Sequence, residues 1–204
     1  MTVVEPTRLE RALAAIDAAN AADPNTIPVR GAVRPKELAH AEMVSEWVGR
    51  LRPDAAESLR LAARAHHIRR WTIPRSSFPE GRIGYLRWRR SLHDMHAGEA
   101  ERILREAGYE EATIARVQTI IRKQDLAHDP DVQALEDALC LVFLETQLDE
   151  LAARLADSKM VDILRKTLRK MSPDGKRLAA AVKFSENGRA LLGTALQEST
   201  GGNQ

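Results

Sequence analysis

The chain has 204 residues, of which 44% are apolar and 29% charged, with a formal net charge of +2. This length and composition suffice for one sizeable core, and nothing in the sequence requires a second domain. The first 25 residues lack the apolar stretch of a secretory signal, no apolar run approaches a membrane span, and Cys140 is the only cysteine. We therefore expect a soluble cytoplasmic protein without membrane contact or intrachain disulfide, whose one thiol is buried.

Apolar residues recur with helical periodicity along the whole chain, and no segment alternates as a strand does. The pattern predicts a single compact all-α domain over residues 1–197, with at least seven helices, no sheet, and a flexible C-terminal tail at 198–204. Residues 23–34, with two prolines and a glycine, are predicted as a loop. Asp54 and Glu57 predict a capping box for the third helix. The expected helices lie at 7–22, 35–51, 54–71, 83–107, 110–127, 130–156, 158–170, 173–183 and 186–197.

Two predicted helices form a hairpin that brings three histidines together. His40 and the doublet His66–His67 lie almost equally far from the turn near residue 52. Antiparallel packing therefore places them at about the same height. His40 also shares its helix face with apolar residues, which directs it inward. A lone core histidine is more often hydrogen-bonded within the fold than bound to a metal, and that alternative stays open for His66.

The next hairpins extend this predicted cluster. His93 and His96 reach the level of Lys123, and the turn before Pro130 brings Glu136 and Asp137 back to within about two helical turns of Lys123. The neighbours of Asp137 at helical spacing are apolar, so its carboxylate should enter the core. There it needs a metal, a histidine or lysine, or a structural arginine as its partner. We expect these groups to meet in one central cleft.

Positive charge is concentrated between residues 60 and 90. This window holds nine arginines, one acidic residue and half of the eight aromatic residues. Guanidinium groups match phosphate oxygens in pairs and stack on rings and bases. The window predicts a partner that is a phosphorylated small molecule, a nucleotide or a nucleic acid. The alternative is that these arginines pair with carboxylates and brace a loop. The arginine-rich loop Thr72–Gly84 is expected to cover the cleft and bind an anion.

Four stretches of sequence resemble a known family. They are Ala-Ala-Arg-Ala-His-His-Ile-Arg-Arg-Trp with Ile-Pro-Arg (62–71 and 73–75), Gly-Tyr-Leu-Arg-Trp-Arg (84–89), Gly-Tyr (108–109) and Leu-Glu-Asp-Ala-Leu-Cys-Leu-Val-Phe-Leu-Glu (135–145). Together they resemble the uncharacterised family catalogued as domain of unknown function 4202, from about residue 7 to 197. The resemblance brings no established activity. That family usually has Gln in place of His66 and commonly Tyr in place of His40. Its shared polar set maps to His67, His96, Lys123, Glu136 and Asp137, with Arg69, Arg75, Arg82 and Arg89 around it.

A more distant resemblance is to the HD superfamily of metal-dependent phosphohydrolases. Its pattern is a His, then a His-Asp pair, then a distal Asp. The stretch Leu-Ala-Ala-Arg-Ala-His-His-Ile is similar to the His-Asp helix, and Asp137 matches the distal Asp. His67 stands where Asp is expected, and Lys123 stands where some members have His. The resemblance implies an HD-like orthogonal bundle in which zinc, manganese or iron is held by His40, by His66 or His67, and by Asp137. The alternative is that the metal is lost and Lys123 supplies the positive charge.

The resemblances and the arginines together predict a hydrolase of a phosphorylated, nucleotide-like substrate. The metal would lower the pKa of a bound water, while His96 or Lys123 would move a proton. The alternative function is a non-catalytic module that binds a nucleotide or nucleic acid through region 60–90. A homo-oligomer is left open. The predicted catalytic residues are His67, His96, Lys123, Glu136 and Asp137, and the predicted substrate-binding residues are Arg69, Trp71, Arg75, Arg82, Trp88 and Arg89.

Overall fold

The computed structural model of the protein describes residues 5–200, with side chains through residue 197. Within that range the chain is overwhelmingly helical, which confirms the predicted all-α class. None of the helices in this range is long and apolar enough to cross a membrane. The α-helices are α1 (Arg8–Ala21), α2 (Lys36–Leu51), α3 (Glu57–Ala65), α4 (Gly81–Glu106), α5 (Glu111–Ile121), α6 (Pro130–Ala152), α7 (Asp157–Leu168), α8 (Pro173–Ala179) and α9 (Glu186–Thr200).

Contacts divide the chain into two units, one ending at Leu135 and one beginning at Glu136, so that the division falls within α6. The first unit contains α1 to α5, and the second contains α7 to α9 with most of α6. In the first unit α3 packs against α1, α2 and α5, and α4 packs against α5. Helix α3 is suited to this central place because its alanines are fully buried and allow neighbouring helices to approach closely. In the second unit α7 packs against α9.

The expectation of no sheet is wrong for residues 23–34. Strands β1 (Thr26–Val29) and β2 (Ala32–Pro35) pair antiparallel and are joined by Arg30 and Gly31. Both joining residues have positive φ, 50° and 81°, as a two-residue hairpin turn requires. The strands have only four residues each and one contains a proline, so their sequence carries little strand signal.

Two helix ends differ from the prediction where the site residues lie. Helix α3 ends at Ala65, and Arg69 has a left-handed φ of 52°, which no α-helix continues through. Helix α5 ends at Ile121, and Lys123 lies in the following turn with a φ of 55°. The predicted capping box is absent, since α3 begins after Ala56 without a side-chain cap. The predicted tail overlaps the end of α9, and residues 201–204 lie outside the described residues.

In the second unit the start of α8 is anchored to α6 by hydrogen bonds. The carboxylate of Asp137 accepts the backbone N–H of Ser172 at 2.8 Å and also its hydroxyl. The Ser172 Oγ in turn accepts the N–H of Gly175, which caps the helix. A Cβ at Gly175 would lie 2.6 Å from Cγ of Asp137, so a glycine is required for this close approach.

The start of α9 is anchored in the same way, further along α6. The carboxylate of Asp149 accepts the N–H and hydroxyl of Ser185, whose Oγ accepts the N–H of Gly188. A Cβ at Gly188 would lie 2.5 Å from Oδ1 of Asp149. The second unit therefore uses one aspartate–serine–glycine anchor twice.

Candidate functional site

The first unit contains a buried polar cluster that begins on α2. Glu37 and His40 lie one turn apart on this helix and are only 4% and 8% exposed. The backbone N–H of Glu37 donates to Oδ2 of the buried Asp23 at 3.0 Å. The other oxygen of that carboxylate, Oδ1, accepts two N–H groups of Asn25. Asp23 therefore fixes the start of α2 and with it the position of Glu37.

The turn after α3 brings two further groups to Glu37. His67 places Nδ1 3.4 Å from Oε2 of Glu37, and Arg70 places Nε 3.9 Å from Oε1. The Nδ1 of His40 lies 3.9 Å from the same Oε2. None of these contacts is a hydrogen bond, and Oε2 is a buried atom without a hydrogen-bond partner in the described part of the chain. A buried oxygen of this kind is expensive to leave unpaired, which is common at functional sites.

Three imidazoles stack beside this carboxylate. The ring centroids of His66 and His67 are 4.2 Å apart, and those of His67 and His96 are 5.6 Å apart. His66 donates from Nδ1 to the carbonyl of Ala63, and His96 donates from Nδ1 to that of Ile68, both at 2.8 Å. A carbonyl only accepts, so in the neutral ring Nε2 of each is the unprotonated nitrogen. His66 is thus a structurally satisfied histidine, whereas the fully buried Nε2 of His96 has no hydrogen-bond partner among the described residues.

The environment keeps these imidazoles neutral at neutral pH. Burial lowers the pKa of His96 from its ordinary value of 6.5 to about 4. Burial, followed by repulsion from neighbouring rings or cations, lowers the pKa of His66 and His67 well below 6.5. The His40 pKa is also lowered by burial, against the opposing effect of Glu37. All four rings are therefore proton acceptors rather than cations.

The cluster nevertheless includes charged side chains, those of Glu37, Arg70 and Lys123. Burial raises the pKa of Glu37, while His40 and Arg70 act in the opposite direction. The positive charges of Arg70 and Lys123 both act on His67. The structure thus brings together three of the predicted site residues of the first unit, His67, His96 and Lys123. The side chain of His67 is 31% exposed, so it is the histidine of this group that solvent reaches.

The two predicted acids of the second unit have structural partners. Oε1 of Glu136, which is 5% exposed, lies 3.6 Å from Nζ of Lys170. Both oxygens of Asp137 accept from Ser172, a partner absent from the predicted alternatives. That these two acids share one cleft with the histidines of the first unit stays a prediction.

Hydrogen bonds connect the predicted lid, the loop Thr72–Gly84, to its own backbone and to α4. Arg75 donates to the carbonyls of Phe78 and Pro79 at 2.9 Å, and Trp88 donates from Nε1 to the carbonyl of Ile73. The guanidinium of Arg70 lies 4.9 Å from the centre of the Trp88 ring. Arg75 therefore acts as a loop brace, which favours the structural alternative for this arginine.

The remaining predicted substrate-binding residues differ in burial and in whether their side chains already contact another side chain. Arg69 places Nε 3.4 Å from Oε2 of Glu99, and Trp71 is half-buried. The side chains of Arg82 and Arg89 make no hydrogen bond or ion pair with any residue that the structure describes. They lie on the first turns of α4 beside the exposed Tyr85. These two arginines are available to an anion.

The predicted metal ligands do not form a recognisable site. Among the described residues, no group of three or more His, Cys, Asp or Glu side chains is placed to hold an ion. Nδ1 of His66 donates a hydrogen bond to the carbonyl of Ala63, and the carboxylate of Asp137 accepts one from the backbone N–H of Ser172. Metal binding stays a prediction.

The model of the family named Domain of unknown function (DUF4202) matches residues 10–192. The chain belongs to this family. The match spans the helices from α1 into α9, and it confirms the resemblance carried by the four sequence motifs. No curated protein and no solved structure matches the chain. The more distant resemblance to the HD superfamily stays a prediction.

Sequence reasoning missed two members of the cluster. Glu37 has a recognisable signal, because it lies three residues before His40 and so shares its helix face. Arg70 has no such signal in the sequence. The predicted helix continues through residue 71, and a continuous helix would not direct the Arg70 side chain towards α2. Its neighbour Arg69 was the predicted site residue.

Proposed function

We propose that this DUF4202 protein hydrolyses a phosphorylated, nucleotide-like substrate at the cluster in its first unit. The observation that supports the proposal is the buried Glu37 Oε2, which lacks a hydrogen-bond partner in the described chain and faces Nδ1 of His67 beside a cation, Arg70. The motif resemblance to the HD phosphohydrolases favours the same reaction class. Perturbed acids and bases clustered around a half-exposed group are typical of catalytic sites.

His67 is the proposed general base. Its neutral ring accepts a proton at Nε2 from a water whose oxygen attacks phosphorus, since Nδ1 faces Glu37. The Glu37 carboxylate stabilises the imidazolium as it forms, as a buried acid does behind a catalytic histidine. Arg70 and Lys123 offset the negative charge that develops on the phosphoryl oxygens. The ester P–O bond breaks, and its oxygen leaves with a proton from solvent.

A divalent ion is a separate proposal. Zinc, manganese or iron would polarise the phosphoryl group when bound. No step above passes through such an ion, because the described residues place no set of three ligands around one position. Elemental analysis of the purified protein tests this point, with near-stoichiometric metal as the supporting result.

The hydrolase proposal is tested by phosphate release from an aryl phosphate and from nucleoside monophosphates, with and without added Zn²⁺, Mn²⁺ or Fe²⁺. His67→Gln should lower kcat by about 10² or more, the usual contribution of a general base. His128→Gln is the matched control, since His128 is 79% exposed in a turn and interacts with Asp125. Absence of phosphate release by the wild-type protein under all of these conditions rejects the proposal.

A second candidate function is nucleotide or nucleic-acid binding on the arginine and aromatic region. The availability of Arg82 and Arg89 beside the exposed Tyr85 favours it, because single strands bind to cations and aromatic faces together. A labelled single-stranded oligonucleotide should bind with an affinity that falls steeply as salt rises. Binding that is absent, or that is unchanged by salt, excludes this function.

A further inference from the structure

A concave site separate from the histidine cluster lies in the first unit. It is a cavity of about 280 Å³ between α1, α2, α3 and the link that joins α2 to α3. No histidine and no carboxylate belongs to its lining, all of which consists of described residues. Its accessible apolar wall includes Leu13, Pro53 and Ala55, and three arginines also line it, Arg52, Arg60 and Arg64.

The three arginines differ in whether their side chains form ion pairs with carboxylates. Arg64 is neutralised by Asp17, with Nε 2.5 Å and Nη2 2.7 Å from the two carboxylate oxygens. Arg52 forms ion pairs with Asp54 and with Asp131, each at 3.3 Å. The side chain of Arg60 is exposed and makes no ion pair or hydrogen bond with any residue in the described range. Among the described residues, Arg60 is therefore the one of the three arginines whose guanidinium has no carboxylate partner.

One wall of the cavity is a glycine that local packing does not require. Gly49 lies in α2, where glycine is less favourable than alanine for helix stability. A Cβ built at Gly49 meets no atom within 4 Å, so it would stand in open space. Because Gly49 lines the cavity, a large side chain at this position has room to enter it.

We propose that this cavity binds a small anion with a short apolar body. The carboxylate or phosphate of the ligand lies on the Arg60 guanidinium, which forms charge-assisted hydrogen bonds with either group. Its hydrocarbon part covers the partly exposed Leu13 and Ala55. The volume of about 280 Å³ lies just below the usual range for ligand pockets, roughly 300–1,000 Å³, which limits the ligand to a small molecule. The site is independent of the proposed hydrolase activity.

The test is a titration of the ¹⁵N-labelled full-length protein followed by NMR. Hexanoate and hexyl phosphate share one apolar body and differ in their head group, so the tighter ligand identifies the preferred anion. We expect saturable shifts at the amides of Gly49 and Ala63 with at least one of them. Hexylamine, with the opposite charge, should produce no saturable shift. Absence of saturable shifts with both anions, or equal binding of hexylamine, overturns the proposal.

Two variants locate the ligand. Arg60→Gln keeps most of the side chain and should weaken binding about tenfold or more, as expected for loss of one charge-assisted contact. Gly49→Leu fills the cavity and should abolish binding while the protein stays folded, since the position is exposed. Gly98→Leu is the matched control, because Gly98 is also helical, exposed and free of atoms within 4 Å of a built Cβ. A Gly49→Leu protein that binds as tightly as the wild type overturns the proposal.

Discussion

Oε2 of the buried Glu37 lies 3.4 Å from Nδ1 of His67, so this imidazole faces a carboxylate where its two neighbours face backbone carbonyls. A carboxylate stabilises a protonated ring far better than a carbonyl does. The side chain of His67 is also the most exposed of the three stacked rings. These two properties distinguish His67 from His66 and His96 as the residue able to take up a proton from a substrate.

The first prediction concerns Glu37→Gln. We expect kcat for phosphoester hydrolysis to fall about 10²-fold with little change in KM, because the variant no longer stabilises a protonated His67. Burial holds the folded pKa of Glu37 above its ordinary value of 4.5. Its charged form therefore destabilises the fold, an effect that is complete above the folded pKa and relieved as pH falls. The melting temperature of Glu37→Gln at pH 8 should equal or exceed that of the wild type. A marked loss of stability at pH 8 would show that Glu37 serves the fold.

The second prediction is acid destabilisation through His96. Its folded pKa of about 4 lies below the ordinary value of 6.5, so the unfolded chain takes up a proton across this window. The stability contributed by the neutral ring is complete above pH 6.5 and is lost as pH falls to about 4. That loss amounts to roughly 3 kcal/mol. Urea unfolding at pH 7 and pH 4 should show a smaller decrease for His96→Gln than for the wild type. Equal decreases would contradict the assignment.

The third prediction separates two glycines of the second unit. Gly175→Ala should lower the free energy of unfolding by about 1–3 kcal/mol, because its Cβ would press against the Asp137 carboxylate. Gly193→Ala is the matched control on α9, where a Cβ meets nothing within 4 Å, and it should be neutral or stabilising by up to about 1 kcal/mol. Thermal unfolding measures both. Similar effects of the two substitutions would argue against a tight anchor at α8.

The fourth prediction concerns Asp137 and Ser172. Removing either side chain with alanine should destabilise the protein by about 1–3 kcal/mol, since each removes a charge-assisted hydrogen bond of the buried Asp137 carboxylate. The double variant should cost less than the sum, with a coupling of at least about 0.5 kcal/mol. Additive effects in the double-mutant cycle would mean that the two residues act separately.

The fifth prediction distinguishes Arg75 from Arg82. Both arginines lie in the predicted anion-binding lid, yet Arg75 donates to two carbonyls of its own loop. Arg75→Gln should therefore reduce stability by about 1–2 kcal/mol, the value of two hydrogen bonds. Arg82→Gln should leave stability within about 0.5 kcal/mol and instead weaken binding of a phosphorylated ligand by about 1–3 kcal/mol. Melting curves and titrations of the two variants measure both quantities. Unchanged stability of Arg75→Gln would restore Arg75 as a ligand-binding residue.

The helices were predictable because their signals are local. Periodicity and first-turn prolines placed α2 and α6 to within a few residues at either end. Equal distances to the turns predict that the histidines and Lys123 lie at about one height, since rise per residue fixes height in a hairpin, and the His67 and His96 rings do lie 5.6 Å apart.

The remaining site geometry depends on features without a local signal. The left-handed backbone at Arg69 directs Arg70 towards Glu37. An arginine residue gives no sequence signal for that backbone conformation. Asp137 was rightly predicted to be buried, but its partner Ser172 is 35 residues away. Such a pairing depends on how helices pack, which periodicity does not determine.

Both aspartate–serine–glycine anchors begin on α6, so the length of helix between Asp137 and Asp149 determines the separation of the two anchor points in the second unit. The loops before Ser172 and Ser185 can change in length and still deliver each serine to its own aspartate. The helix between Asp137 and Asp149 cannot change in this way. One inserted residue there would rotate Asp149 by about 100° around the helix axis and turn it away from Ser185. Length variation in this unit is therefore expected in the connecting loops and excluded from that stretch of α6.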